Sequence, residues 1–252
     1  MPASFQSTPR CAAQRGRGAM RAALIAGAFA GLACSAHAQA PATAVTATSA
    51  LARAERQALL TLYARTAGPE WTVRTGWGGP AGTECSWHGV RCDEQQHVVA
   101  LELANNGLRG RLPPLQALSR LQVLRVSLNH LQGALPPLAG LRELRVLTAH
   151  NNLLTGAIPP LQALPRLERV IVANNELSGP LPPLRGLTQL RDFDASNNRL
   201  SGIVPRLDGL DSLRRLDLSF NRLHGVASPG SLPASVDLEG NLIRGQAVVA
   251  RR

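Results

Sequence analysis

The chain has 252 residues and a formal charge of +11, and its 27 basic residues are all arginine. Apolar residues make up 44% of the chain but aromatic residues only 3%, so a buried core has to be built mainly from Leu, Val, Ile and Ala. The longest apolar run is 13 residues, at 22–34, which is short for a membrane-spanning helix.

Residues 1–38 have the order of an export signal. Arginines and no acidic residue surround the apolar run, and small residues stand at Ala36 and Ala38. We predict cleavage after Ala38, so that the mature protein begins at Gln39 and its formal charge falls to +7. Met20 is an alternative start. The alternatives are an uncleaved membrane anchor and lipidation at Cys34. For a lipoprotein motif, Leu32 stands one place too close to Cys34.

A linker at 39–50 and a compact segment at 51–97 follow. The segment begins with a predicted helix from about Leu51 to Ala67, which Gly68 and Pro69 stop. Cys85 and Cys92 are an even pair in a protein predicted to enter an oxidising compartment. His88 between them suggests a metal ligand, but we favour a solvent-facing residue because metal-site spacing with histidine is absent.

A repeat of 23 residues occupies most of the remaining chain. "ANNGLRGRLPPL" begins at Ala104 and "ANNELSGPLPPL" at Ala173, with related stretches between and after them. The phased asparagines are Asn106, Asn129, Asn152, Asn175, Asn198, Asn221 and Asn241; only the last step, of 20 residues, is shorter. Glycine and proline recur in the same phase, so the pattern predicts successive coils of one repeated unit.

An alternating apolar pattern precedes each of these asparagines, as in Leu124-Arg125-Val126. Alternation predicts a short strand with one face buried, and stacked coils then form a parallel sheet with strands about 4.8 Å apart. Asparagine has both a donor and an acceptor, so we expect an asparagine ladder that satisfies buried backbone groups of its own and the adjacent coil. Gly and Pro-Pro turn the chain and return it along the far side.

These repeats resemble the plant-type leucine-rich repeat family, with the form L-x-x-L-x-L-x-x-N-x-L-x-G-x-I-P. The family includes ectodomains of plant receptor kinases, polygalacturonase-inhibiting proteins and some bacterial proteins. The resemblance implies an α/β repeat solenoid: a curved coil with a concave parallel sheet, an irregular convex side with Pro-rich segments, and a helical N-terminal cap. It covers seven repeats at 98–245, before a tail at 246–252. Here the repeat has 23 residues instead of the usual 24.

The segment 51–97 resembles the cap of the same family, through its "CSWHGVRC" stretch. That resemblance implies a Cys85–Cys92 disulfide and a helix with tryptophans that cover the first coil. The arginine-rich, lysine-free and alanine-rich composition favours a GC-rich bacterial source.

The family's ligand surface, the concave face, is predicted here as two outward columns of side chains. One column runs Ala100, Val123, Val146, Arg169, Asp192, Arg215, Ser235 and the other Glu102, Arg125, Thr148, Ile171, Asp194, Asp217, Asp237. The predicted ligand-binding residues are His150, Arg169, Ile171, Asp192, Asp194, Arg215, Asp217, Phe220, Asp237 and Glu239. Because like charges side by side on one sheet repel, the three aspartates of the second column predict a basic partner or a cation.

Nothing in the sequence predicts catalysis, a cofactor or a metal site, since phosphate loops and hydrolase or metalloprotease motifs are missing. The arginines are not interleaved with aromatic residues, which argues against nucleic acid. The resemblance implies an exported, periplasmic or secreted protein that binds a protein or peptide partner, with a host molecule among the candidates. Inhibition of a secreted enzyme and binding of a glycan or cell-wall polymer are the alternatives.

Overall fold

The computed structural model describes residues 42–227 and 235–243, and side chains from residue 52 onward. The predicted export signal, its cleavage site before Gln39 and the tail at 246–252 lie outside these residues. Within them, no helix has the length and apolar character needed to cross a bilayer.

Helix α1 (Ala42–Arg65) opens the described chain and begins nine residues earlier than the sequence predicts, within the expected linker. The physical reason is that residues 42–50 are mostly Ala and Thr and contain no Gly or Pro to stop a helix. The helix ends as predicted before Gly68 and Pro69, which begin a short 3₁₀ turn at Gly68–Glu70. A second 3₁₀ turn spans Glu84–Ser86.

Fourteen strands lie within the described residues. They are β1 Val90–Cys92, β2 Val98–Glu102, β3 Arg109–Gly110, β4 Val123–Arg125, β5 His130–Gly133, β6 Val146–Thr148, β7 Leu153–Gly156, β8 Arg169–Ile171, β9 Glu176–Pro180, β10 Asp192–Asp194, β11 Arg199–Val204, β12 Arg215–Asp217, β13 Arg222–Val226 and β14 Ser235–Asp237. One sheet has the order β1-β2-β4-β6-β8-β10-β12-β14, parallel except for β1, and confirms the predicted solenoid.

A second parallel sheet, β13-β11-β9-β7-β5-β3, lies where the sequence predicts irregular chain. Its strands start within three residues after the repeated asparagines, as β7 does after Asn152. Each coil presents the same extended Leu-x-Gly stretch in phase with its neighbour, so backbone groups of successive coils pair there too. The core between the sheets consists mainly of leucines with almost no exposed surface, such as Leu124, Leu147 and Leu216.

The seven asparagines form hydrogen bonds from coil to coil. Asn152 is representative: its Nδ2 donates to the carbonyls of Val126, Ala149 and His150 at 3.0–3.3 Å, and its Oδ1 accepts from the Leu131 amide at 2.9 Å. Asn106 Nδ2 donates to the carbonyl of Val73 in the cap, and its Oδ1 accepts from the Val73 amide. The ladder therefore ties the cap to the repeats.

The cap closes both sheets at their N-terminal edges. Strand β1 pairs antiparallel with β2 and so covers the edge of the long sheet. The end of α1 covers the edge of the second sheet, since the amides of Arg109 and Arg111 donate to the carbonyls of Thr66 and Arg65. A side chain at Gly110 would lie 2.4 Å from the Arg65 carbonyl oxygen, so this docking requires glycine. Covered edges cannot pair with another chain.

Aromatic side chains and a disulfide stabilise the cap. Trp71 packs edge-on against Tyr63 and Trp77, with ring centroids 5.1 and 4.8 Å away, and its indole N–H donates to the Thr66 carbonyl at 2.9 Å. Cys85 and Cys92 are bridged, with their Cα atoms 5.5 Å apart. The disulfide expected from the resemblance is therefore present, and His88 beside it is exposed.

A buried acid in the cap gives a testable pH dependence. Glu55 is 4% exposed; its carboxylate contacts His97 Nδ1 at 3.1 Å and accepts from the Val98 amide at 3.3 Å, with Asp93 nearby. Desolvation by burial raises the pKa of Glu55, outweighing its hydrogen bonds to Val98 and His97. A raised pKa in the folded state means that the stabilising contribution is present at low pH and is lost as pH rises through that pKa.

Glu55→Gln is therefore expected to gain stability relative to the wild type as pH rises from about 4 to 7. The amide can still accept from the Val98 N–H and reach His97, but it carries no charge to desolvate. Urea unfolding at several pH values measures the difference, with exposed Glu94→Gln as the control. A difference that does not change with pH would contradict this account of Glu55.

Candidate functional site

The exposed side of the long sheet, here called the concave face, carries the two predicted columns in register. Arg169 pairs with Asp192 and Asp192 with Arg215 across neighbouring strands, and Ile171, Asp194 and Asp217 follow one another in the same way. The last step joins Asp217 to Asp237. Because side chains alternate between the two faces along each strand, these columns share one surface.

Five of the ten predicted binding residues line one depression of about 190 Å³. They are Arg169, Ile171, Asp192, Asp194 and Arg215. Ile171 is half-buried and contributes apolar surface among these charged residues. Asp217 and Phe220 follow Arg215 in the same coil, and Asp237 and Glu239 belong to the next coil. His150 lies one coil before Ala173, on the N-terminal side of the depression. Its side chain is half-buried, and its Nδ1 has no hydrogen-bond partner among the described residues.

Ion pairs between successive coils neutralise much of the charge on the surface of the solenoid. Within the described residues, five of these pairs join side chains 23 positions apart. They are Glu102–Arg125, Glu143–Arg166, Arg145–Glu168, Arg169–Asp192 and Glu176–Arg199. The Arg169–Asp192 pair has two bonds, from Nε at 3.0 Å and Nη2 at 2.8 Å. Opposite charges at equal positions of adjacent coils therefore stack in the same way as the leucines below them.

Two of the three aspartates in the second column, Asp194 and Asp217, are compensated within the chain more fully than the sequence predicts, while the expected basic partner or cation stays a prediction. Arg215 lies between them, 3.7 Å from Asp194 and 3.0 Å from Asp217. Its hydrogen bond to Asp217 raises the pKa of the guanidinium, which stays charged. The described residues also contain no cluster of three or more His, Cys, Asp or Glu side chains that could hold a metal ion.

The same aspartates have a structural role that the sequence reasoning missed. Asp217 Oδ1 accepts from the amide and the hydroxyl of Ser219 at 3.1 and 2.7 Å, and Asp194 does the same with Ser196. This Asp-x-Ser turn closes the strand locally. The signal was visible, since Asp-x-Ser occurs 23 residues apart at 194–196 and 217–219.

Phe220 is the most unusual residue near the concave face. Its φ is 53°, in the left-handed region, and it is 53% exposed. The equivalent residue of four other coils is asparagine, which tolerates this conformation: Asn105, Asn151, Asn174 and Asn197. Leu128 is the other bulky residue at this position, with φ 57° and 50% exposed. A side chain at Gly240 would come within 2.6 Å of the Phe220 ring, so Gly240 makes room for it.

Comparisons with known proteins agree with this architecture. A Leucine Rich Repeat family profile matches residues 212–236. The crystal structure of a Pollen Receptor Kinase 3 is 31% identical, with a TM-score of 0.59, and the match covers 69% of this chain and 89% of that one. The chain belongs to the leucine-rich repeat family.

Two other solved structures are similar to this chain. The leucine-rich repeat ectodomain of the receptor kinase SOBIR1 from Arabidopsis thaliana is 27% identical, with a TM-score of 0.58, and the match covers 69% of this chain and 97% of that one. The plant peptide hormone receptor RGFR1 in complex with RGF2 is 31% identical, with a TM-score of 0.50. That match covers 58% of this chain but only 25% of the receptor. A sequence comparison with curated proteins finds no match.

Proposed function

We propose that this leucine-rich repeat protein binds a protein or peptide partner on the C-terminal half of its concave face, without catalysing a reaction. It acts outside the cytoplasm, as an exported bacterial protein. The Cys85–Cys92 disulfide supports export because such bonds persist in oxidising compartments. The signal-like pattern of residues 1–38, with arginines before an apolar run and then small residues, supports export independently.

Phe220 is the observation on which the location of the binding surface rests. A bulky residue with positive φ is strained by roughly 1–3 kcal/mol. Because about half of the Phe220 side chain is exposed, its packing offsets only part of this strain energy. Asparagine at the same position would relieve the strain, as it does in four other coils. Phe220 lies in the coil of Arg215, which lines the charged depression, and exposed aromatic side chains are enriched at the centre of protein-binding surfaces.

The structural comparisons support the class of partner. RGFR1, a similar structure, is described as a peptide hormone receptor in complex with RGF2. A parallel sheet whose outward side chains repeat every coil offers a long row of contacts to an extended peptide. Ion pairs and the exposed Phe220 together give this row both polar and apolar anchors.

Phe220→Asn is expected to stabilise the fold by up to about 1 kcal/mol, because asparagine adopts the left-handed region more easily, and to weaken binding. The matched control is Leu128→Asn, which relieves the same backbone strain four coils earlier and should leave binding unchanged. The probe is a displayed library of random peptides selected on the purified, oxidised wild-type protein. Affinities of selected peptides for the three proteins are then compared.

A selective loss of affinity in Phe220→Asn supports the proposed surface. Equal affinity of all three proteins for every selected peptide, or failure of the wild-type protein to enrich any peptide, would overturn it. Polygalacturonate serves as the glycan probe: binding of this polymer without binding of any peptide would favour the glycan alternative.

A further inference from the structure

At one position of the concave side, two arginines follow each other in successive coils without an ion pair among the described residues. The position just before the predicted columns carries Arg145 and Glu168, which pair at 2.9 Å, and then Arg191 and Arg214 in succession. The Arg214 amide donates to the Arg191 carbonyl at 2.8 Å, so these two arginines lie at equivalent positions just before the neighbouring strands β12 and β10. Two residues of like charge therefore occupy neighbouring coils here, whereas the two coils before them carry an arginine and a glutamate that pair.

Neither arginine has an acidic partner. Both side chains are exposed, and none of the ion pairs within the described residues includes them. The 16 acidic residues of the chain all lie between Glu55 and Glu239, within the described residues. Glu168, the acid one coil before Arg191, is held by Arg145. A pair of adjacent, uncompensated guanidinium groups is destabilising for the sheet and therefore has no evident structural use.

The pair adjoins the depression already described. Asp192 and Arg215, which line the depression, are the next residues along the chain after Arg191 and Arg214. Along an extended strand, three residues from Arg191 to Asp194 span about 10 Å. An extended peptide running obliquely over these strands could thus place one side chain over the arginines and a later one over Ile171.

We propose that Arg191 and Arg214 bind an acidic side chain, Asp or Glu, of an extended peptide segment of the partner. Each guanidinium group carries several N–H donors in a planar arrangement, which suits bidentate recognition of a carboxylate. This inference rests on the proposed function and specifies the chemistry of the ligand. It also reverses the expectation from sequence of a basic partner, because the carboxylates of Asp194 and Asp217 already have partners.

The experiment compares two double variants with equal charge change. Arg191→Glu with Arg214→Glu reverses the proposed site, and Arg142→Glu with Arg185→Glu reverses two exposed arginines elsewhere that also lack an ion pair among the described residues. Peptides selected from the random library on the wild-type protein should be enriched in Asp or Glu. Their affinity should fall at least about tenfold on the first double variant and change little on the second. The same peptides with Asp or Glu replaced by Lys should regain affinity for the first double variant.

Three outcomes would overturn the inference. Selected peptides without acidic residues, or with equal affinity for both double variants, would show that Arg191 and Arg214 are only a solvated surface. A loss of affinity of the same size on both double variants would show an effect of net charge alone. Because dependence on Phe220 is measured separately, peptides that require Phe220 but ignore the arginines would leave the proposed function standing and reject this inference alone.

Discussion

Asn152→Asp is expected to lower the free energy of unfolding by about 3–5 kcal/mol at pH 7, because it leaves an uncompensated charge in a buried site. The substitution is nearly isosteric. It replaces the Nδ2 group, which donates to three carbonyls, with an oxygen that faces the same carbonyls. The site is 6% exposed, so water cannot solvate the new charge. Urea unfolding followed by far-UV circular dichroism measures the loss, which should shrink at low pH where the carboxyl is protonated.

Asn151→Asp is the matched control. Asn151 is adjacent in sequence and exposed, with a φ of 54°, a conformation that aspartate also tolerates. We expect a change within about 0.5 kcal/mol. Equal effects of the two substitutions would contradict the assignment of Asn152 to the ladder and Asn151 to the turn.

Trp71→Ala is expected to cost about 3–5 kcal/mol, the range for removal of a large buried aromatic side chain. Trp71 is 1% exposed, contacts Tyr63 and Trp77, and donates a hydrogen bond to Thr66. The cap covers the N-terminal edges of both sheets, so its loss should destabilise the first coils as well.

Tryptophan fluorescence can separate these effects, because the three tryptophans of the chain, at 71, 77 and 87, all lie in the cap. Fluorescence of the remaining two should report unfolding at the same urea concentration as circular dichroism if cap and solenoid unfold together. Val73→Ala, in the same loop and 39% exposed, is the control and should change stability by less than about 0.5 kcal/mol. A loss below 1 kcal/mol in Trp71→Ala would show that the cap does not stabilise the repeats.

The repeated asparagines and alternating leucines were sufficient to predict the parallel strands of the long sheet and their buried side, but not the antiparallel strand β1 at its edge. A period of 23 residues places equivalent residues in adjacent strands, so one coil predicts the next. The second sheet was missed because Leu-x-Gly stretches are too short to be recognised as strands without their neighbours. The early start of α1 was missed because residues 42–50 were assigned to a linker from composition alone.

The sequence predicted which side chains share the candidate site, but not which of its charged groups pair with each other. The columns placed Arg169, Asp192 and Arg215 together, as the structure does. The sequence does not show which carboxylate is already engaged, since the bonds of Asp217 to Ser219 and Arg215 depend on side-chain conformation. Arg191 and Arg214 received no attention because arginines occur throughout the chain. They differ from the neutralised arginines in having no ion pair among the described residues.

Photo-crosslinking from position 220 tests the central claim, that the C-terminal half of the concave face binds a polypeptide, most directly. A photoreactive phenylalanine analogue replaces Phe220 in one protein and Ile203 in another; Ile203 is 49% exposed but lies on the second sheet. Each protein is irradiated with a peptide selected on the wild-type chain, and adducts are mapped by mass spectrometry. We predict a covalent adduct from position 220 and none from position 203. An adduct from position 203 alone, or equal adducts from both, would contradict the account.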